Sequence, residues 1–476
     1  MSNSHLLAID IGTQSARAVI IDANGAIQFQ CNQSLTIHRP EPGYAEQNPI
    51  EIIEATHQLI AQALDQPFQI SQAALAIQRS TVLAWDRQTG EALSPALSWL
   101  DTRGRDKVES LSQYRNDIKQ RSGLMLSPHY GASKLHWLLN NCAAAAEAYS
   151  RYSLCLAPLV SYILFHILEG QPFVCDESNA ARTQLWNIHQ RQWDACLAEQ
   201  FGVPIELLPE VKPTHTPYGT LLNSNIALNI VCGDQNAAYF GAGELPSNTA
   251  LVNIGTGAFI LSAAGETPIS QGYFLDTLAI STQECALYLV EATVNGAGSA
   301  LQWACNELKI QANHDDLELY LQNTEELPIF VNTIGGLGSP WWRSDIKAFF
   351  SPRHFNGKLS PLPCLAAILE SIVFLLNYNL EALRSNGITI QQCLLSGGLA
   401  RFDSLCQRLA NLASIQVLRN AGTEATILGL AHLAGHTQNR IINIGARFSP
   451  DSNPELHHRY QRFCEILATT LDTAHD

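Results

Sequence analysis

The chain has 476 residues, 46% of them apolar and 15% charged, and carries a net charge of −15 at pH 7. That length exceeds what one hydrophobic core supports, so two domains, or three, are expected in a well-buried globular chain. The negative balance argues against nucleic acid as a partner, because backbone phosphates need a basic footprint that this chain lacks.

Residues 6–9 and 16–21 are apolar, β-prone runs separated by the polar turn Asp10-Ile11-Gly12-Thr13-Gln14. Asn24-Gly25 predicts a type I′ turn into a third strand over residues 26–30. Residues 49–63 follow helical spacing through Ile50, Ile53, Ala55 and Ile60 and start at Pro49. Residues 134–139 and 156–168 also read as helices, and 226–231 reads as a strand running into Cys232-Gly233-Asp234-Gln235. The Gly-, Pro-, Ser- and Asn-bearing segment 241–248 marks a boundary, which divides the chain into domains 1–243 and 244–476. Beyond it, strands 250–253 and 258–262 flank Gly255-Thr256-Gly257. A strand–(Ile-Gly-Thr)–strand unit thus occurs twice, which points to an internal duplication.

A long apolar helix is expected over 365–383. Strand 393–395 then leads through Ser396-Gly397-Gly398 to a helix near Ala400. Leu456, Tyr460, Phe463, Leu467 and Leu471 predict a terminal helix that packs on the body. Alternating strands and helices make the fold class α/β. The twelve cysteines contain no C-x-x-C pair or zinc-like spacing, so reduced thiols are expected. No signal peptide and no bilayer span is read, and a soluble, cytoplasmic protein with no membrane partner is the expectation.

Three glycine turns can hold phosphate. In the first, Gly12 admits a close approach, Thr13 adds a hydroxyl, and Asp10 can hold Mg²⁺ directly or through water. Gly255-Thr256-Gly257 repeats the logic without an acid, and Gly397-Gly398 stands between a strand and a helix start, an arrangement that suits phosphate or ribose. The plain alternatives are a polar hairpin tip for the first two and tight strand–helix packing for the third. Asp234, just past a strand, is placed for a general base, or for a helix N-cap.

Together these motifs resemble the FGGY carbohydrate kinases, which share the actin/hexokinase-type ATPase fold of two duplicated ribonuclease H-like domains around a nucleotide cleft. The resemblance runs through Asp10-Ile-Gly-Thr-Gln-Ser with Arg17, Gly43-Tyr-Ala-Glu-Gln-Asn-Pro49, Trp99-Leu-Asp-Thr-Arg103, Asp176-Glu-Ser-Asn-Ala-Ala-Arg-Thr183, Leu208-Pro-Glu-Val211 and Gly233-Asp-Gln235. It continues in Gly255-Thr-Gly257, Gly336-Leu-Gly338 with Pro340-Trp-Trp342, Ser396-Gly-Gly398 and Thr423-Glu-Ala425. It implies an ATP- and Mg²⁺-dependent kinase acting on a hydroxyl of a small polyol or sugar. Asp234 is then the base and Asp10 the acid near the metal. Nucleotide contacts would come from Gly12, Thr13, Gln14, Gly255, Thr256, Gly257, Gly298, Gly397, Gly398 and Asp403. Acceptor contacts would come from Arg79, Ser80, Trp99, His129, Asp234, Gln235 and Phe259.

Within the family the surroundings are most similar to glycerol kinases, but Ser80 stands where those carry Glu, and His129 where they carry Tyr. The Met-His dipeptide of xylulose kinases near Arg79 is absent. The resemblance therefore implies a glycerol-like polyol or a ketose without choosing between them, and it leaves a homodimer open. Arg343-Ser-Asp345 and the stretch 348–363 depart from the family pattern. Arg182 reads as structural. The competing reading is a member of the fold that has lost activity and serves as an ATP- or sugar-binding module.

Overall fold

A strand covered on both faces reads as an unbroken apolar run, and His5–Ile11 (β1) is such a strand. The computed structural model describes residues 4–269, 272–309, 313–322, 327–351, 361–420, 422, 424–436 and 444–473. In it, Leu7, Ile9 and Ile11 join a core with Ile52, Ile53 and Leu59 of helix α1 (Pro49–Leu64). Leu6 and Ala8 face the opposite way, into a core with Ile427, Leu430 and Ala431. Because side chains alternate along a strand, Asp10 shares the second face with Leu6 and Ala8. Its cross-strand partner on β2 (Ser15–Ile21) is Arg17, so the two side chains meet on that face.

The first large sheet is completed by β3 (Ile27–Ser34), β4 (Ile70–Ile77), β5 (His215–Thr220) and β6 (Ala227–Gly233), in the order β5-β6-β4-β1-β2-β3. Strands β1 to β3 form an antiparallel meander, β4 and β6 run parallel to β1, and β5 closes the far edge antiparallel. Helix α2 (Asp234–Tyr239) follows β6 directly. The second large sheet contains β7 (Thr249–Ile254), β8 (Ala258–Gly265), β9 (Leu275–Ser281), β10 (Ala286–Val294), β11 (Gln392–Ser396), β12 (Gln416–Asn420) and β13 (Ile444–Phe448). Its order is β9-β10-β8-β7-β11-β12-β13. Leaving out β9, the pattern of parallel and antiparallel neighbours repeats that of the first sheet. The duplication suggested by two short turns is thus a duplication of whole sheets, and the fold is the two-domain α/β architecture expected.

Three expectations change in detail. Asn24-Gly25 does not form a type I′ turn, because only Gly25 has positive φ (82°). Asp22 instead accepts from the amides of Asn24 and Ala26, which holds a five-residue loop, 22–26, beside a bulge. Residues 156–168 are not one helix: Leu154–Pro158 is a strand paired with Val82–Asp86, and the helix is Leu159–Ile167. Both elements are buried almost throughout, and a buried strand cannot be told from a buried helix by periodicity alone. The glycine pair does not lead straight into a helix near Ala400; a 3₁₀ turn, Gly398–Arg401, precedes the helix Asp403–Ala413. Thr423 and residues 352–360 lie outside the described residues.

The apolar helix expected over 365–383 is Pro361–Ser385, long and apolar enough to cross a membrane by length and composition. Its residues are buried in the second core beside Phe330, Leu395 and Phe463, which accounts for that composition. The terminal helix Pro454–Thr473 buries Leu456, Tyr460, Phe463 and Leu467. All twelve cysteines are free thiols.

The two halves exchange helices. Helix α6 (Ala425–Leu433), from the second half, covers the first sheet through Ile427, Leu430 and Ala431. Tyr239 and Phe240, from the first half, join a core with Leu251, Leu394 and Leu418 of the second. Between these layers α2 and α6 touch backbone to backbone: a Cβ on Gly429 would lie 1.7 Å from the Ala237 carbonyl oxygen. Gly429→Ala should therefore force the helices apart and lower unfolding stability by about 3 kcal/mol or more, measured by urea denaturation. An unchanged midpoint would mean that the contact is loose.

Candidate active site

Repetition of the sheet gives two equivalent turns, and each is shaped by specific bonds. The β1–β2 turn closes through the Gly12 amide to the Ser15 carbonyl at 2.9 Å. Its carbonyls are tied down from behind: the Gln47 side-chain amide donates to Thr13 O (2.9 Å), and that of Gln78 donates to Gly12 O (3.3 Å) and to Gln47 Oε1 (2.8 Å). Among the described residues the amides of Thr13 and Gln14 have no partner, so they remain available to an anion. The Thr13 hydroxyl accepts from Trp99 Nε1 at 3.0 Å, which leaves its own proton free to donate.

The β7–β8 turn closes through the Gly255 amide to Gly257 O (2.8 Å). Its carbonyls are used to cap helix α3 (Gly298–Leu308): Gly255 O accepts from the Gly298 amide, and Thr256 O from the amide and hydroxyl of Ser299. Gly298 is required there, since a Cβ would lie 2.8 Å from Gly255 O. The α3 N–H groups are thus partly satisfied by the loop, while the Thr256 side chain is exposed. Gly397 has φ +94° and packs on the end of β7, where a Cβ would meet Ile254 O at 2.5 Å. Gly398 faces open space, so tight packing explains Gly397 and leaves Gly398 open to a ligand. Asp403, one turn further on, pairs with Arg419 at 2.5 Å and is exposed. Its carboxylate is directed to that arginine rather than to the glycine loop.

Asp10 accepts from Arg17 Nε (3.0 Å) and Nη2 (2.9 Å), and Arg17 also pairs with Glu424 of the second half. Burial nevertheless pushes the Asp10 carboxyl up to about 6, with Arg17 opposing and the Asp234 charge adding to the rise. Asp234 opens α2, half-buried, with its Oδ1 accepting from the Gln235 amide at 2.7 Å. Burial raises its carboxyl above the usual carboxylate range, and Arg79 and Arg182 pull the other way. A buried carboxylate whose proton affinity is raised further by a second one is a site that a cation would stabilise. Among the described residues no group of three or more His, Cys, Asp and Glu gathers at a possible metal site, here or elsewhere. Oxygen donors from one or two carboxylates, completed by water and phosphate, are the ligand set that suits Mg²⁺.

Arg79 lies beneath Gly233, with Nε 3.9 Å from Asp234 Oδ1 and Nη1 donating to Asn236 Oδ1 at 3.3 Å. A Cβ on Gly233 would come within 2.5 Å of Arg79 Cδ. Gly233→Ala should therefore displace Arg79 and raise the KM for the acceptor by about tenfold, in steady-state kinetics, with a smaller change for ATP. Gly233 itself is held by its amide, which donates to Ser178 Oγ at 2.9 Å; Ser178 in turn bonds to buried Asp176. This explains the Asp176–Thr183 motif as a support for the Asp234 turn.

Trp99 (43% exposed) and Phe259 (39% exposed) are large rings left open to solvent, which fits contact with a small ligand rather than a core. Trp99 is anchored by a cluster that joins two motifs. Arg103 lies over the Tyr44 and Trp137 rings and donates to Asp101 and Glu46, and Asp101 accepts from the Ala45 amide. His129 is exposed, with Nδ1 3.0 Å from Trp99 O. Gln235 and Phe259 line one cavity with Asn253, Ser396 and Asn420.

Ser80 is placed differently from the expectation. It is buried with φ +64°, and its hydroxyl donates to Arg182 O at 3.1 Å, so it is directed away from the cleft. Arg182, read as structural, is a buried link between halves: it pairs with Glu291 on β10 and donates to Thr277 on β9 at 2.9 Å. Tyr130 faces Arg182, Glu291 and Arg79 and was not picked out in the sequence. Its neighbour His129 carried the motif position, and only the fold shows which of two adjacent side chains turns inward. Arg343-Ser-Asp345 closes on itself, with the guanidinium gripping Asp345 at 2.6 and 2.7 Å.

Residues 5–241 match the N-terminal domain, and residues 250–437 the C-terminal domain, of the FGGY family of carbohydrate kinases. The chain is 33% identical over 448 residues to the glycerol kinase of Citrifermentans bemidjiense, with 90% of each chain covered. It is 30% identical over 452 residues to that of Lactobacillus acidophilus, covering 91% of this chain and 90% of the other. Among solved structures it superposes on Plasmodium falciparum glycerol kinase with ADP (TM-score 0.87, 24% identity, 99% and 97% covered). It also superposes on Rhodospirillum rubrum xylulose kinase (TM-score 0.87, 18% identity, 99% and 100% covered).

Proposed function

The chain belongs to the FGGY family of carbohydrate kinases, and from that premise we propose that it transfers the γ-phosphoryl group of ATP to a small polyol or ketose with Asp234 as general base. ATP-dependent phosphorylation of a sugar or polyol hydroxyl is the activity of the family. The observation that carries the finer reading is the pair Asp10 and Asp234, close enough that the Asp234 charge raises the Asp10 carboxyl, each with its own arginine.

Phosphoryl transfer asks the protein mainly for position and charge. Asp234 orients the acceptor hydroxyl and takes its proton as the oxygen attacks phosphorus. Arg79 keeps that carboxylate ionised and aimed. Thr13, the free amides of the first turn, Thr256 and Gly398 are available to the phosphates from the two sides. Asp10 would hold Mg²⁺, which when bound would supply positive charge against the phosphates. Trp99, Phe259, His129 and Gln235 form the acceptor wall, and closure of the two halves over it removes water that would otherwise compete.

The test is a coupled assay of ADP release with Mg-ATP and a panel of glycerol, tetritols, pentitols and ketopentoses. At least one acceptor should raise turnover well above the rate with ATP alone. ATP binding without stimulation by any of them would favour a binding module and overturn the proposal.

A further inference from the structure

Lys134 is wholly buried, yet among the described residues no carboxylate lies within ion-pair distance of it. Asp101, the nearest acidic influence on it, is fully occupied by Arg103 and the Ala45 amide. A buried ammonium without a counter-ion is costly, so its partners must all be used. Each of its three protons has one: Nζ donates to the carbonyl of Ser80 at 2.7 Å, of Ser98 at 2.9 Å and of His129 at 2.9 Å. Those carbonyls belong to three chain segments: the pairing of Val82 with Leu97 sets the Ser80 and Ser98 segments side by side, and the lysine ties the His129 segment to both. Each lies at or directly beside a residue of the acceptor wall: Ser80 follows Arg79, Ser98 precedes Trp99, and His129 is itself part of the wall. Ser80 is held with positive φ, a backbone state that a serine keeps only when its surroundings fix it.

We infer that Lys134, from helix Gly131–Asn141, is the positioning residue of the acceptor site, its ammonium fixing the backbone of the Arg79, Trp99 and His129 segments relative to one another. The inference rests on the acceptor site proposed above. Lys134 acts through three carbonyls and makes no contact of its own with the glycine turns; the link it has to them is indirect, through the Trp99 ring and the Thr13 hydroxyl. Its loss should therefore separate acceptor recognition from nucleotide recognition.

The experiment compares wild type, Lys134→Met and Lys134→Gln using the panel acceptor with the highest kcat/KM, and measures ADP binding by calorimetry on the same preparations. Met fills the space with no donor, and Gln restores two. The acceptor KM should rise about 10- to 100-fold in Lys134→Met, recover in part in Lys134→Gln, and ADP affinity should stay within about twofold in both. An unchanged acceptor KM in a folded variant would overturn the inference, as would equal losses for acceptor and ADP. If neither variant folds, the lysine is structural only and the inference also fails. If instead no panel member stimulates wild type, it is the kinase reading that has failed.

Discussion

Asp234→Asn should lower kcat by about 10²- to 10⁴-fold, the usual worth of a positioned general base, while leaving ADP affinity and the melting temperature nearly unchanged. Asparagine keeps the shape and can still accept from the Gln235 amide, so the loss isolates proton acceptance. The pH dependence supplies a sign. The base works as the carboxylate, and burial holds its proton affinity above that of an ordinary aspartate. In wild type, kcat/KM should therefore fall as pH drops through a value above the usual carboxylate range. In the variant that acidic limb should vanish. A limb that persists would assign it to Asp10, whose carboxyl is pushed up to about 6.

Arg182→Met should destabilise the protein by about 3–5 kcal/mol, read as a shift in the urea midpoint. The reason is the group left behind. Glu291 is buried, and burial alone would raise its carboxyl; Arg182, the largest opposing influence, and then Arg79 bring it below the usual value. A carboxyl depressed in the fold stabilises it above the unfolded value, and that contribution is lost as pH falls through the folded one. Wild type should thus lose stability on acidification at this site. In Arg182→Met the Glu291 carboxyl rises, and mild acid should narrow the gap between the two proteins. Replacing both residues, as Arg182→Met with Glu291→Met, should recover most of the loss. A single variant as stable as wild type would show that the link between halves carries no energy.

Much of this was legible in the residues. The two glycine turns are local: a glycine, a hydroxyl residue and two apolar strands lie within residues 5–21, and the same signal recurs within 249–265. Asp234 was legible for the same reason, as an acid just past a buried strand. What stayed hidden was long-range. Ser80 occupies a motif position, but its hydroxyl is turned inward by a left-handed backbone and a bond to Arg182, which lies about a hundred positions away in sequence. Lys134 reads as one charge on a short amphipathic helix until the fold wraps three carbonyls around it. The split of residues 154–167 into strand and helix was out of reach because both pieces are buried all round, and periodicity carries information only where one face is wet.

The central claim is that the γ-phosphoryl group passes to a substrate hydroxyl set against Asp234. Its most direct test is ³¹P NMR of wild-type protein with Mg-ATP and the best acceptor of the panel. The account predicts a phosphate monoester resonance that grows in step with ADP and is all but absent with Asp234→Asn. ADP accompanied only by inorganic phosphate, or a monoester formed equally fast by the variant, would contradict it.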